Sequence, residues 1–388
     1  MRNKRGLIAT TVAVTVGILG VVLPAQASVA STPLLTTLPA GVGVDISFPQ
    51  CDFDAYPSRL PFMVVGVNGG KASTNNSCFT VEYNTALTRL DAPASEQPST
   101  SVYLNTGNPA LLAAWWPSSN ETQIGVATQD GLVTIPSVTV SNPNGSCTHT
   151  AGAACAYVYG YSMAHADYAN VLNDKVALPT LWWLDVETTN TWQTDLAANE
   201  ASLDGMVDYL HSVGRTVGIY STSYQWNKIA GVTKSTSTLA GLQSWLAGSS
   251  PTGAAAACEG TPLTPGGRVS MVQYVSGNLD NDLSCHVFPS AVKITPSATQ
   301  VVGVTLSATT GWPAGGTYAY QWRRNGAAIP HATASKYTVT SADAGKAITY
   351  TVTGKKLGYS TETVTSSAVT VRAARPVAPA PRHPTRVL

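Results

Sequence analysis

Apolar runs of strand length alternate with helical patterns through residues 41–288, and this alternation restricts the fold more than any other feature of the sequence. A helix is predicted where apolar residues recur at helical spacing over residues 203–213, just before Gly214, which suits a C-terminal cap. The predicted strands cover residues 42–47, 62–67, 101–104, 180–187, 216–220, 242–247 and 269–275. Such repetition predicts the α/β class with a parallel sheet, either a (β/α) TIM-like barrel or an open doubly wound sheet.

The sequence pattern changes after residue 288. Residues 291–372 contain short alternating strands separated by turn residues, as in "YAYQWRRNG" at 318–326, which is typical of an all-β sandwich. This part is similar to the immunoglobulin-like repeats appended to secreted Gram-positive cell-wall proteins, with Trp322 on a central strand. It contains no cysteine, so we expect packing alone to hold its sheets together.

Both ends of the chain have the composition of segments outside a folded domain. Arg2, Lys4 and Arg5 precede an apolar stretch over residues 7–23 and then Ala25-Gln26-Ala27, which predicts a secretory signal over residues 1–27. An uncleaved membrane anchor is the alternative. Residues 28–40 are predicted to be a linker, and the Pro- and Arg-rich residues 373–388 a disordered tail. We therefore expect a secreted or cell-wall-associated protein with no membrane contact once the signal is cleaved.

Six cysteines follow the signal, and an even number in an exported chain predicts disulfide bonds. Sequential pairing is the prediction among fifteen connectivities. It joins Cys51 to Cys78, Cys147 to Cys155 and Cys258 to Cys285. No CxxC or HExxH motif occurs, so neither a metal site nor a cofactor is predicted.

The charge is distributed unevenly along the chain. Residues 28–290 contain 8 Lys and Arg against 19 Asp and Glu, whereas residues 291–388 contain 11 against 2. An acidic body does not suit nucleic acid, which binds clustered cations. The basic part could hold the protein on an anionic surface such as a bacterial envelope, or it could be an ordinary solvated face. We expect a monomer.

The segment "WWLDVETTN" at residues 182–190 places two carboxylates in an apolar run. On a strand, Trp183, Asp185 and Glu187 would share one face, with neighbours on that face ~7 Å apart. Glycoside hydrolysis uses two carboxyl groups roughly 5 to 9.5 Å apart, so the spacing fits a glycosidase without selecting retention or inversion. A helix cap or a cation site is the alternative for an Asp-x-Glu pair at a strand end.

Further motifs follow in a fixed order along the chain. They are "GVDIS" at 43–47, "DVE" at 185–187, "GIY" at 218–220, "WLA" at 245–247, "QY" at 273–274 and "DL" at 282–283. In these motifs the chain resembles the family 25 glycoside hydrolases, lysozymes that cut peptidoglycan at N-acetylmuramic acid. The resemblance implies an irregular (β/α) barrel over residues 41–288 and a hydrolase that cleaves the β-1,4 bonds of peptidoglycan.

The resemblance also implies roles for individual residues. Glu187 would be the general acid, and Asp185 would orient the substrate's acetamido group or act as a base. Asp45 and Asp282 would hold the remaining charge and a water molecule in place. Four aromatic residues are candidates for contact with sugar, with ordinary barrel filling as the alternative: Tyr220, Tyr274, Trp245 and Trp183.

Several features leave other functions open. The family's basic second-strand motif is replaced by "VVGVNGG" at 64–70, the third strand continues into "YLNTGNP" at 103–109, and residues 130–156 read as an insertion. A reshaped groove could accept another glycan, or the barrel could be a non-catalytic wall-binding protein. "GYSMA" at 160–164 approximates a serine nucleophile elbow, but Tyr161, Ala164 and Tyr168 recur at helical spacing, which favours a helix.

Overall fold

The computed structural model describes residues 41–51, 60–72, 74–89, 100–122, 126–128, 131–133, 136–286, 291–356 and 359–372. The predicted signal, linker and C-terminal tail lie outside these residues. None of the helices in the described part is long and apolar enough to cross a membrane.

Eight strands close into a barrel, which confirms the predicted α/β class. They are β1 (Val42–Ile46), β2 (Met63–Gly66), β3 (Thr100–Asn105), β6 (Leu181–Asp185), β7 (Thr216–Ser221), β8 (Gln243–Ser249), β9 (Val269–Ser276) and β10 (Leu279–Ser284). Around the barrel the order is β1-β10-β9-β8-β7-β6-β3-β2. All neighbours are parallel except β10, which pairs antiparallel with both β9 and β1. The antiparallel strand makes the barrel irregular.

Helices and one hairpin connect these strands. The helices are α1 (Phe79–Arg89), α2 (Ala153–Asn173), α3 (Leu196–Ser212), α4 (Ser223–Ile229) and α5 (Ala254–Ala257), and β4 (Val126–Thr128) pairs with β5 (Gly131–Val133). Asp195 begins α3 by accepting a hydrogen bond from the backbone of Ala197, and Gly214 follows α3 with a φ of +74°. Ser162 lies within α2, so the serine-elbow alternative is wrong for this segment.

The predicted insertion at 130–156 contains β5, irregular backbone and the first turn of α2. Val140 of this segment and Trp116, which precedes the segment, pack with the first turns of α2.

The strand alternation divides the apolar residues between two layers. Trp182, Leu184 and Val186 face outward and pack with the helices. Trp183 faces inward with Phe62 and other residues of the barrel interior. Successive side chains on a strand point to opposite faces, so the sequence "LWWLD" of β6 fills both layers and directs Asp185 inward.

The three disulfide bonds join the cysteine pairs predicted from their sequence order. Cys51 and Cys78 have their Cα atoms 5.6 Å apart, Cys147 and Cys155 4.5 Å, and Cys258 and Cys285 5.6 Å. The first bond holds the segment after β1 next to the start of α1, beside the predicted site.

Residues 291–372 form two antiparallel sheets. One contains β11 (Val292–Thr295), β12 (Thr305–Thr310) and β15 (Lys336–Thr338); the other contains β13 (Thr317–Arg324), β14 (Ala327–Ala328), β16 (Ala347–Lys355), β17 (Glu362–Thr365) and β18 (Val369–Thr370). A shared core surrounds Trp322, which is fully buried and donates from its indole nitrogen to the Ala334 carbonyl at 2.8 Å. The immunoglobulin-like assignment and the proposed domain limits remain predictions.

The C-terminal sheets contact the amino-terminal end of barrel strand β9. Ser360 donates its hydroxyl to the Val269 carbonyl and its backbone N–H to the His286 carbonyl at 2.9 Å. Thr361 donates to the Glu259 carbonyl at 3.2 Å. These contacts lie at the end of the barrel opposite to the carboxyl ends of the parallel strands, so they leave the predicted site uncovered.

Candidate active site

Two of the predicted carboxylates lie at the carboxyl end of parallel strands. Asp45 is on β1, and Asp185 is the last residue of β6. Asp282 lies beyond the last predicted strand at 269–275, on the additional strand β10, together with Asp280. This strand was not predicted because its sequence, "LDNDLS", is short and polar. In its register with β1, Asp280 lies opposite Asp45 and Asp282 lies opposite Gly43. The antiparallel strand thus adds two carboxylates beside Asp45.

Asp45 and Asp282 form a close pair inside the barrel. Asp282 is fully buried and lies beside the Asp45 carboxyl and the Trp245 indole. Burial, followed by the charge of Asp280, raises the pKa of Asp45 to about 7. Burial and the neighbouring Asp45 likewise hold the pKa of Asp282 well above its usual range. Two carboxyl groups this close cannot both ionise cheaply, so the pair retains a proton near neutral pH.

Asp185 is held from the neighbouring strand. It is 5 % exposed, and the Asn105 amide donates to its Oδ2 at 2.5 Å. Burial, and next the charge of Glu187, raise the pKa of Asp185 well above its usual range, while the Asn105 hydrogen bond lowers it. The pKa of Asp185 is therefore set by burial and Glu187, which raise it, and by Asn105, which lowers it.

Glu187 was expected inside β6, but β6 ends at Asp185 and Glu187 lies in the segment that follows. It is only partly buried, and two hydrogen bonds hold the backbone at Glu187 and Thr188. The Trp192 indole donates to the Glu187 carbonyl at 2.9 Å, and the Thr188 backbone N–H donates to Gln225 at 2.6 Å. Thr189 donates its hydroxyl to the Glu187 carboxyl at 3.3 Å. Glu187 thus stands at the rim of the site on a fixed backbone, where a ligand can reach it.

The predicted aromatic residues are not equally placed. Tyr220 is partly buried and donates its hydroxyl to Gln273 at 2.8 Å, and Gln273 donates to Asp45 at 2.8 Å. Tyr274 packs with Leu246 and the cysteine pair near α5, and its contact with sugar stays a prediction.

Trp183 and Trp245 fill the barrel. Trp183 is fully buried, and Trp245 is 1 % exposed. Their ring centroids lie 5.6 Å apart, and Trp245 also packs against Tyr220 at 4.5 Å. Barrel filling was the alternative for these residues, and it describes them better than direct sugar contact because no ring surface is left for a ligand. Trp245 contributes to the site by lying against Asp282.

Sequence reasoning assigned no role to three polar residues of the site: Tyr103, Asn105 and Gln273. Asn105 and Tyr103 belong to the "YLN" of β3, which was noted only as a departure from the family pattern. Tyr103 lies over Gly66, where an added Cβ would come within 2.6 Å of its ring. Polar residues at the ends of adjacent parallel strands were the available signal.

A buried network of asparagines supports Asp185 from behind. Asp167, on α2, accepts from the Asn68 amide at 2.9 Å, and the Asn68 oxygen accepts from the Asn105 backbone N–H at 2.8 Å. Asn105 then donates its own amide to Asp185. The unusual "VNGG" after β2 therefore connects a helix to the carboxyl end of β6 through hydrogen bonds.

Among the cavities in the described part of the chain, two lie outside this cluster. One, of about 280 Å³, lies beside residues 189–191 and includes Lys71 and Trp115. The other, of about 660 Å³, lies between α4 and residues 261–266, and no carboxylate of the site lines it. The larger cavity is therefore separate from the candidate chemistry.

Comparisons with known proteins point to one class of domain. A family model described as "Lysozyme-like protein 1" matches residues 140–257. The matched segment contains β6, the strand that ends at Asp185. Over these residues the chain is similar to that family.

Two curated relatives agree over shorter segments. "Lysozyme-like protein 5" of Caenorhabditis elegans is 37 % identical over 78 residues, which is 20 % of this chain and 34 % of the relative. "Probable GH family 25 lysozyme 4" of Dictyostelium discoideum is 41 % identical over 49 residues, 13 % of this chain and 22 % of the relative. The chain thus matches about a third or less of the length of these relatives.

Similar chains are found among solved structures. A family GH25 lysozyme from Aspergillus fumigatus is 16 % identical with a TM-score of 0.33, covering 63 % of this chain and 93 % of that one. The spore cortex lytic enzyme SleM of Clostridium perfringens is 12 % identical with a TM-score of 0.33, covering 85 % and 97 %.

Proposed function

We propose that the protein is an exported glycoside hydrolase of the lysozyme type that cleaves the β-1,4 bonds of peptidoglycan. One observation carries the proposal: carboxylates from β1, β6 and β10 meet at the carboxyl end of a barrel whose residues 140–257 are similar to a lysozyme-like family. Parallel β/α barrels place their active sites at this end. No metal or cofactor is needed for such a reaction.

Glu187 is the proposed general acid. Its partly buried carboxyl at the rim can approach the oxygen of the leaving sugar, and its fixed backbone limits the directions in which it can point. Protonation of that oxygen by a positioned carboxyl group is the step that glycoside hydrolysis requires. Thr189 holds the Glu187 carboxyl by one hydrogen bond.

Asp185 is the proposed partner of Glu187. From its buried position it orients and polarises the acetamido group next to the reacting carbon, or acts as a base toward water. The Asn105 amide fixes one of its oxygens, leaving the other for substrate. Asp45 and Asp282, which share a proton in this account, keep negative charge and a water molecule near the developing positive charge of the sugar.

For the C-terminal sheets we propose an immunoglobulin-like module that keeps the enzyme on the cell wall. Its contacts to the barrel lie at the end opposite to the carboxylates, so wall attachment and substrate entry do not compete. The basic composition of residues 291–388 suits an anionic wall polymer.

The experiment uses the full chain on purified peptidoglycan, with reducing ends and muropeptides identified by mass spectrometry. Wild type is expected to release fragments ending in N-acetylmuramic acid. The variant Glu187→Gln should release none above background, while Glu121→Gln, an exposed glutamate of the barrel region, should act like wild type.

Release of different products by wild type would reject the proposed bond. If wild type and Glu187→Gln both bind the wall and release nothing, the barrel is a binding protein. Equal release by wild type and Glu187→Gln would reject Glu187 as the acid.

A further inference from the structure

The larger of the two cavities, of about 660 Å³, has no part in the proposed reaction. One wall is the face of α4 that carries Ser223, Trp226 and Asn227, and the other walls are residues 231–233 and 261–266. No carboxylate of the candidate site belongs to the described lining. A ligand bound in this cavity would therefore serve a purpose other than hydrolysis.

The wall formed by residues 261–266 is held to the barrel by hydrogen bonds. The Leu263 backbone N–H donates to the Ser244 hydroxyl of β8 at 2.9 Å. The Thr264 hydroxyl donates to the Leu242 carbonyl, just before β8, also at 2.9 Å. The opposite wall is a regular helix, α4. Because both walls are fixed by their own contacts, the cavity is formed before any ligand binds.

Two residues of the lining have a buried polar atom that makes no hydrogen bond. The atoms are Nε1 of Trp226, a residue that is 3 % exposed, and Oγ1 of Thr233, which is 6 % exposed. Neither atom has a partner within the part of the chain that the structure describes. A buried donor or acceptor without a partner destabilises a folded protein, and most such groups are paired. Two of them in the lining of one cavity point to a ligand that pairs with both.

The two residue types restrict the polar groups of that ligand. An indole N–H can only donate, so the ligand must present an acceptor to Trp226. The hydroxyl of Thr233 can donate or accept. None of the described lining residues is charged, so an ionised group would lose its hydration here without meeting an opposite charge. The part of the ligand that enters the cavity is therefore neutral.

Apolar side chains complete the lining. Leu263 and Pro262 belong to it, as does Val232, which is 92 % exposed. A cavity with apolar walls and a few polar atoms suits a ligand that buries an alkyl group and makes a small number of hydrogen bonds. A secondary amide has the required groups, because it combines a carbonyl acceptor for Trp226, an N–H donor for Thr233 and an alkyl substituent.

We propose that this cavity is a binding site for the N-acyl group of an uncharged amide ligand. The acyl oxygen accepts from the Trp226 indole, the amide N–H donates to the Thr233 hydroxyl, and the alkyl end packs against Leu263. The same group occurs in N-acetylated amino sugars and in acylated peptides, so the probes of the test include one of each.

The test follows the Trp226 indole N–H in the ¹H–¹⁵N spectrum of the full chain, where the resonance is identified by its loss in Trp226→Phe. Three neutral probes are titrated: methyl N-acetyl-β-glucosaminide, N-acetylalanine N-methylamide and methyl β-glucoside, which has no amide. We expect a saturable shift of this resonance with at least one amide probe and none with methyl β-glucoside. A response to the sugar amide alone identifies an amino sugar as the source of the group, and a response to the peptide amide alone identifies a peptide.

Thr233→Val tests the second hydrogen bond, because valine keeps the volume of the side chain and removes the hydroxyl. We expect the Kd of the bound amide probe, measured by calorimetry, to rise about tenfold, the loss of one hydrogen bond. The thermal midpoint without ligand should stay the same or rise, since the hydroxyl that is removed has no partner. Thr236→Val, at an exposed threonine of the same segment, is the matched control and should bind like wild type.

Three results would each overturn the proposal: no shift with either amide probe, an equal shift with methyl β-glucoside, or equal affinities of wild type and Thr233→Val. The outcome does not depend on the proposed hydrolysis. Glu187→Gln should bind the amide probe as wild type does, and Thr233→Val should release muropeptides at the wild-type rate. Loss of probe binding in Glu187→Gln would place the probe at the carboxylates and would also overturn the proposal.

Discussion

Asp282 in the barrel and Asp343 in the C-terminal sheets are both fully buried aspartates, but their surroundings are opposite. Asp343 accepts hydrogen bonds from the Arg324 guanidinium at 2.6 Å, the Tyr337 hydroxyl at 2.8 Å and the Thr340 backbone N–H at 2.7 Å. Asp282 instead lies beside another carboxyl group. Burial is common to both residues, so the neighbours decide what each carboxyl does.

The pKa values follow this difference. Hydrogen bonds from Thr340, Tyr337 and Arg324 outweigh burial and hold the pKa of Asp343 below its usual range. In the barrel, burial and neighbouring carboxylates raise the pKa values of Asp45, Asp185 and Asp282. Asp343 is therefore a structural anion. The barrel carboxylates are maintained at a cost in stability, which is a mark of a functional site.

The largest expected effect is loss of hydrolysis in Asp185→Asn, because the amide cannot act as a base or carry the charge. We expect kcat on peptidoglycan to fall by roughly 10²- to 10⁴-fold, with the thermal midpoint unchanged or raised. Asp343→Asn should leave kcat per folded molecule at the wild-type value. A full rate in Asp185→Asn would exclude Asp185 from the reaction.

The second prediction concerns stability against pH. The pKa of Asp45 is raised to about 7 in the fold, so the folded protein binds a proton there that the unfolded chain releases near its ordinary value of 3.8. The contribution of Asp45 to the free energy of unfolding therefore falls as the pH rises from about 4 to 7, by up to roughly 4 kcal/mol.

Urea unfolding at pH 4 and pH 7 should show this fall in wild type and a smaller one in Asp45→Asn. Asp343 contributes a pH dependence of the opposite sign. Because its pKa is lowered in the fold, its ionised carboxyl stabilises the folded protein, and this stabilisation is lost as the pH falls below the ordinary pKa of 3.8. Equal pH dependence in wild type and Asp45→Asn would contradict the raised pKa.

The third prediction replaces an aspartate carboxyl by an amide in each of the two regions. Asp343→Asn leaves the Arg324 and Thr340 donors poorly paired, so we expect about 2 kcal/mol of destabilisation at pH 7. Asp282→Asn removes a carboxyl from a crowded cluster and should be neutral or stabilising. Differential scanning calorimetry measures the change in stability of each variant. Destabilisation of the same size in both would contradict the prediction.

The smallest effect is expected from Asn105→Ala. Its amide lowers the pKa of Asp185 and fixes one carboxylate oxygen, so its loss should reduce kcat about tenfold, an effect near 1.4 kcal/mol. It should also move the limb of the pH–rate profile that belongs to Asp185 toward higher pH, a shift that a merely structural role would not produce. Asn84→Ala, an exposed asparagine on α1, is the control.

Sequence periodicity predicted the parallel strands well, because buried barrel strands are continuous apolar runs such as "LWWLD". The same rule failed for β10, whose "LDNDLS" is polar. Its position in the barrel comes from pairing with β9 and β1, a tertiary effect that the local sequence does not show. The sequential cysteine pairing, one of fifteen possible connectivities, was predicted correctly.

For the site, the motifs identified Asp45, Asp185, Glu187 and Asp282 but not their surroundings. Asn105 and Gln273 act through contacts between strands that are distant in sequence, so the role of neither could be recognised without the register. Trp183 and Trp245 were ambiguous because an inward-facing aromatic residue of a barrel strand can fill the interior or line the mouth. The distance of the residue from the carboxyl end of its strand decides between these roles.

The most direct test of the contrast between the two regions is a carboxyl ¹³C NMR titration of the full chain labelled at aspartate. The resonance lost in Asp45→Asn should titrate with a pKa of about 7. The resonance lost in Asp343→Asn should titrate below the ordinary value of 3.8. If both resonances titrate near the ordinary value, the barrel carboxylates do not hold a proton near neutral pH and the account of the site is wrong.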